Sequence, residues 1–240
     1  MSSPTTLRTS QANAMYRAQF FPLLKFHFRI CNLLQCIPFK VEKSRRLRKI
    51  KSRFVLTIFR LQCVLSVAYC TSMFLNITIG PLTTSGRLQG LGLFIATLAS
   101  TISRWNYSID IGPVQIINAF LDFEAGIIES LPKVPISMET KAMKTFVYLV
   151  EFGVFLYPIL VFFLLRFIPC TPPFILSMFA SCGRAEAMTL RHQVGLGVHI
   201  FEAWMSSHIQ YSSLALIVHI LLVGISFLLN CLQLLNRYDN

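Results

Sequence analysis

Residues 39–80 read FKVEKSRRLRKIKSRFVLTIFRLQCVLSVAYCTSMFLNITIG, and this stretch decides the fold class. Its first part carries Lys40, Lys43, Arg45, Arg46, Arg48, Lys49, Lys51 and Arg53 against one acid, Glu42. An apolar run from Phe54 to Ile79 follows, broken by a single charge, Arg60. About 20 apolar residues suffice for a helix to cross the hydrocarbon core of a bilayer. Lysines and arginines packed against one end of such a helix are retained in the cytosol. The pattern predicts a polytopic membrane protein with its N-terminus inside.

The composition agrees. Of 240 residues, 54% are hydrophobic and 13% charged, too apolar for an ordinary soluble domain. The net charge of +12 is concentrated, since twelve of the 22 basic residues and one of the ten acidic ones lie in residues 1–53. That segment is +11 and the other 187 residues only +1. A basic patch abutting a spanning helix reads as a membrane flank, not as a nucleic-acid surface. Residues 1–19 are polar and lack the apolar core of a secretory signal, so insertion is expected to rely on the first span.

Working outward, residues 20–39 alternate aromatic and basic side chains. They read either as an interfacial helix or as a segment packed on the chain's own cytosolic parts, ended by Pro38. The first span, 54–79, runs outward and ends at the sequon Asn76-Ile77-Thr78. A second span, 88–103, returns inward and is rich in small residues, among them Gly90 and Gly92, that let helices approach closely. A second sequon, Asn106-Tyr107-Ser108, then falls in the cytosol, where it should stay unmodified. An amphipathic helix is expected over 113–131, stopped by Pro132. The third span, 145–167, contains Pro158 in its interior. Residues 174–212 read as an outer loop, and the fourth span, 213–235, precedes a cytosolic tail, 236–240. The expected whole is an all-α bundle of about four spans, 54–235, behind a basic N-terminal region, 1–53.

Ionisable side chains inside spans are costly and usually face a partner or a wet cavity. Arg60 and Glu151 each lie six residues from the cytosolic end of their spans, about 9 Å deep. The equal depth suggests an interhelical ion pair; the alternative is that Arg60 reaches lipid phosphates while Glu151 faces cytosolic water. Cys170 and Cys182 fall in the same outer loop and could form a disulfide. His199 and Glu202, three apart, could ligate a metal only with further convergent ligands, and none is evident in the sequence. No motif implies a cofactor, and the spans carry too few convergent acids or histidines for an enzyme.

The arrangement resembles the arthropod gustatory and odorant receptor superfamily. The resemblance rests on several features: the Ile37-Pro38-Phe39-Lys40 turn with its basic flank, the first span opening at Ser52-Arg53-Phe54, the helical cytosolic connection, and Pro169-Cys170-Thr171-Pro172-Pro173 after the third span. That family comprises seven-span, ligand-gated cation-channel subunits of the plasma membrane. The resemblance covers its first four spans only. The family's last-span signature, a Thr-Tyr pair followed by aliphatics and Gln-Phe, is absent, so the chain would lack the pore-lining helix and be incomplete. It implies a homo- or hetero-oligomer of related subunits and a small tastant or odorant, with Phe155, Tyr157, Phe162, Tyr211 and His219 best placed for a pocket. Each of these five reads first as ordinary helix packing and only second as a pocket contact. A four-span membrane scaffold or assembly protein with no ligand is the alternative.

Overall fold

The computed structural model describes residues 20–42, 46–128, 138–178 and 188–218, together with residues 221, 224, 225 and 228. It is mostly helical. Six helices are present among the described residues: α1 (Phe21–Leu33), α2 (Arg53–Ile79), α3 (Thr84–Arg104), α4 (Gly112–Ile128), α5 (Met138–Phe167) and α6 (Met188–Ile217). A two-stranded antiparallel hairpin, β1 (Phe39–Val41) with β2 (Leu47–Lys49), lies between α1 and α2. Its register pairs Lys40 with Arg48. The all-α expectation is corrected to this extent: alternation of Phe39 and Val41 with charged neighbours gives a strand within the basic stretch.

Two helices are long and apolar enough to cross a membrane, Arg53–Ile79 and Thr140–Phe167 within α5. At about 1.5 Å per residue, α2 alone is about 40 Å long, more than the roughly 30 Å hydrocarbon core. The chain forms two compact units. The first comprises residues 1–56, 108–151 and 215–240, and the second 57–107 and 152–214.

In the first unit, Pro22 sits in the first turn of α1, where its missing N–H costs nothing. The helix ends in a Schellman motif. Cys36 N–H bonds Cys31 C=O at 3.0 Å, Gln35 N–H bonds Asn32 C=O at 3.3 Å, and Gln35 takes the left-handed φ of 52° that this stop requires. Phe21, Leu23, Leu24, His27, Phe28 and Cys31 form the buried face of α1, which packs against β1. The opposite strand packs against α4, where the Asn118 amide brackets Leu47. Its Oδ1 accepts from the Leu47 N–H at 2.9 Å and its Nδ2 donates to the Leu47 C=O at 3.0 Å. Asn118 thereby serves as a neighbouring strand for an otherwise bare edge. The start of α4 is set by Asp110, whose carboxylate accepts the Gly112 N–H at 2.9 Å.

In the second unit α2, α3, α5 and α6 bury polar side chains and expose apolar ones. From α2, Gln62, Ser66 and Asn76 are buried while Leu61, Val64, Phe74 and Leu75 are exposed. From α3, Thr97, Thr101 and Arg104 are buried while Leu91, Ile95, Leu98 and Ile102 are exposed. α5 exposes Phe152, Phe155, Leu160, Phe163 and Phe167, and α6 buries His199, Glu202, Ser206, His208, Ser212 and Ser213. Two apolar clusters fill the space around these polar groups, Tyr69–Met73–Met205–Ile209 and Val161–Leu165–Phe174. Thr83 caps α3 by accepting the Gly86 N–H at 3.2 Å.

Part of the region expected as an outer loop, 174–212, is a 3-10 turn, Ile175–Met178, and the helix α6 from Met188. The inward-facing polar residues of α6 lower its mean hydropathy, so a helix of mixed composition reads as a loop when only apolar runs are counted. The fourth span expected over 213–235 correspondingly begins within a helix already in progress. The third helix of the expected bundle starts at Met138, seven residues before the predicted 145, and the helix expected over 113–131 runs over Gly112–Ile128, with 129–131 outside the described residues.

Candidate functional site

The described polar interior of the second unit holds two clusters. The first is built on Arg104, in the last turn of α3. Its guanidinium donates to Ser66 Oγ at 2.9 Å, to Gln62 Oε1 at 3.1 Å and to His208 Nδ1. A guanidinium only donates, so His208 Nδ1 is the lone-pair nitrogen and Nε2 carries the hydrogen that it directs at Met205 Sδ, 3.2 Å away. The spacing of Gln62 and Ser66, one helical turn apart, puts both acceptors on the same stripe of α2. This network locks α2, α3 and α6 together and has the character of a structural clamp.

The second cluster surrounds the turn at 174–178. Asn76 of α2 donates to the Phe174 C=O at 3.3 Å and to Ser177 Oγ at 2.7 Å. Glu202 of α6 accepts the Ile175 N–H on Oε1 at 2.5 Å. The turn is therefore clamped from two helices, and Asn76, buried within the clamp, makes its sequon a packing element. Glu202 is fully buried, 0% exposed, and its other oxygen, Oε2, has no hydrogen-bond partner among the described residues. The same holds for the Tyr69 hydroxyl, one helical turn below the Met73 that packs in the same cluster. Phe201 and Trp204 supply neighbouring rings, with Phe201 edge-on to Tyr69 at 6.4 Å between centroids. Two polar atoms, Glu202 Oε2 and Tyr69 Oη, are thus buried in this interior without a hydrogen-bond partner among the described residues.

The residues expected to line a pocket are distributed unevenly. Tyr157 is partly buried beside Val161, Leu165 and Phe174. Tyr211 is buried on α6. Phe162 is half-buried and stacks edge-on to Phe163, whereas Phe155 is 55% exposed on the apolar outer face of α5, where it lines no interior space. His219 lies outside the described residues. Arg60 and Glu151, expected as an ion pair, belong to different units, and the contacts described for each are with residues of its own unit. Glu151 sits against His27 of α1 within the first unit, with Nδ1 3.1 Å from both carboxylate oxygens. Arg60 lies over the Tyr107 ring in the second unit, 5.5 Å from its centroid. Depth along two helices says nothing of which way a side chain points around its axis, and that direction decides the pair.

Sequence reading missed Tyr69 and met Glu202 only as a possible metal ligand. The recoverable signal is the stripe Gln62, Ser66, Tyr69 and Asn76, polar or hydroxylated at helical spacing inside an apolar run. Among the described residues no three His, Cys, Asp or Glu side chains converge as metal ligands. Cys170 is disulfide-bonded; Cys182, its expected partner, lies outside the described residues. Of the basic patch, Arg46 pairs with Asp122 at 2.7 Å and Arg48 with Glu42 at 2.9 Å, both at the surface. Compared with known proteins, the chain matches no protein family, no curated protein and no solved structure.

Proposed function

We propose that the chain is a multi-pass plasma-membrane protein of the chemoreceptor type, with four spans, a cytosolic N-terminus and a small-molecule site among the helices of the second unit. α3 and α6 are taken as spans beside α2 and α5 because they share the same polarity, polar residues inward and large apolar residues outward. In water that arrangement would be expensive, and in lipid it is the favourable one. The disulfide at Cys170 agrees with an oxidising outer side after α5, and the thiols of Cys31 and Cys36 with a reducing inner side. The single observation that carries the ligand reading is the pair of buried polar atoms, Glu202 Oε2 and Tyr69 Oη, left without hydrogen-bond partners. A ligand bearing an ammonium or hydroxyl donor would satisfy both, with its apolar part against Tyr157, Phe201 and Trp204. Assembly with related subunits and cation conduction enter through the resemblance in sequence arrangement.

The experiment is a thermal-unfolding screen of the full chain in lipid nanodiscs against small amines, alcohols and sugars, run beside Glu202→Gln and Tyr69→Phe. At a ligand concentration about 100 times Kd the gain is about 2.7 kcal/mol, a shift of a few degrees. At least one compound should raise the unfolding temperature of the native chain and lose that effect in Glu202→Gln. A panel with no compound meeting both conditions removes the ligand site and leaves the scaffold reading.

A further inference from the structure

We propose that Cys31 and Cys36 form a peroxide-reactive dithiol in the first unit, with His27 and Glu151 activating the Cys31 thiol. Four observations meet there. Cys31 Sγ lies 2.9 Å from His27 Nε2, one helical turn earlier on α1. His27 Nδ1 lies 3.1 Å from both oxygens of Glu151. A carboxylate on one ring nitrogen orients the imidazole, makes Nδ1 the hydrogen-bearing atom and leaves Nε2 to accept the thiol proton. Cys36 stands at the other end of the Schellman hydrogen bond from Cys31, and that motif frequently brings the side chains at its two positions together.

The charge arithmetic favours proton transfer within this group. Moving the Cys31 proton to His27 creates an imidazolium held between thiolate and carboxylate, with no change in the net charge of the cluster. The thiolate is the reactive form of cysteine. Cys31 and Cys36 are both 0% exposed, which excludes bulky or charged reagents, so the oxidant proposed is a small neutral one, hydrogen peroxide. In the first step the Cys31 sulfur attacks one peroxide oxygen. The S–O bond forms, the O–O bond breaks, and the departing oxygen takes the proton from His27 and leaves as water. In the second step the Cys36 sulfur attacks the Cys31 sulfur of the sulfenic acid. The S–S bond forms, the S–O bond breaks, and the hydroxyl leaves as water with the Cys36 proton. Peroxide is reduced and the dithiol oxidised, reversibly against an added dithiol. This site is independent of the ligand site proposed above.

The test treats the full chain in nanodiscs with graded hydrogen peroxide, alkylates the remaining thiols with iodoacetamide and maps them by mass spectrometry. The expected product is a Cys31–Cys36 disulfide that dithiothreitol reverses, formed while Cys63 and Cys70, which are also buried thiols, remain alkylatable. In Cys36→Ser, dimedone should trap a sulfenic acid on Cys31. In His27→Gln, oxidation of Cys31 should slow by about tenfold or more. Oxidation of Cys31 no faster than that of Cys63 and Cys70 in the unsubstituted chain overturns the proposal without any variant. An unchanged rate in a folded His27→Gln overturns the role of the imidazole.

Discussion

Arg104 and Ser66 are joined by a 2.9 Å hydrogen bond between side chains 38 residues apart, both buried. The bond belongs to the fork that also holds Gln62 and His208, so Arg104 satisfies three acceptors at once. Arg104→Met would leave those acceptors buried without their donor, at a cost of about 3–5 kcal/mol. Arg104→Lys keeps the charge but cannot reproduce the planar fork, and should fall between the two. Thermal or denaturant unfolding in one lipid or detergent system orders the three proteins; equal stability of Arg104→Met and the native chain would refute the clamp.

Asn118 supplies a different kind of test, because it replaces a strand. Asn118→Ala removes both bonds to the Leu47 backbone and should cost about 1–3 kcal/mol locally, since a partly buried N–H and C=O lose their partner. Amide exchange at Leu47 is the direct measurement and should accelerate. Asp122→Asn, one turn along α4, breaks only the exposed pair with Arg46 and should change stability by less than about 1 kcal/mol.

The contrast between these residues explains what sequence reading reached. α2 was legible to within one residue at its start, because an uninterrupted apolar run behind a basic cluster has one physical meaning. α6 was not, because Glu202, His199 and His208 read as loop polarity when they are the inner stripe of a helix. The hairpin was hidden for a related reason: its strands are three residues each, and charge on Lys40, Arg46, Arg48 and Lys49 outweighs the alternation of Phe39, Val41 and Leu47. Glu151 was recognised as a residue needing a partner. His27, which supplies one, stands on a segment for which a surface and a packed reading were both open.

Gly90 and Gly92 of α3 behave differently despite standing two residues apart. A Cβ on Gly90 would come within 3.2 Å of Pro172 Cβ and 3.5 Å of Ile77 and Pro173, while one on Gly92 meets nothing within 4 Å. Gly90→Leu should therefore force α3 from its neighbours and cost about 1–3 kcal/mol. Gly92→Ala should be neutral or stabilising by up to about 1 kcal/mol through helix propensity alone. Unfolding midpoints of the two variants measure the difference, and a Gly92 variant as damaged as the Gly90 one would contradict the packing of this helix.

Orientation in the membrane is tested by side chains that are exposed and carry no structural bond. Lys51 precedes α2 at its basic end, and Ser85 lies in the first turn of α3; both are at the surface. With the N-terminus in the cytosol, Lys51→Cys should react with a membrane-impermeant maleimide only after cells are permeabilised. Ser85→Cys should react on intact cells, each above the background of the unsubstituted chain. The sequon at Asn106 should carry no glycan, because the turn after α3 then faces the cytosol, and glycosidase treatment should leave the gel mobility unchanged for that reason. The sequon at Asn76 should also be empty, for a different reason: its amide is spent on Phe174 and Ser177 inside the protein. Labelling of Lys51→Cys on intact cells, or a sugar on Asn106, would reverse the direction of every span proposed, since the basic flank of α2 sets the sense of the whole proposed topology.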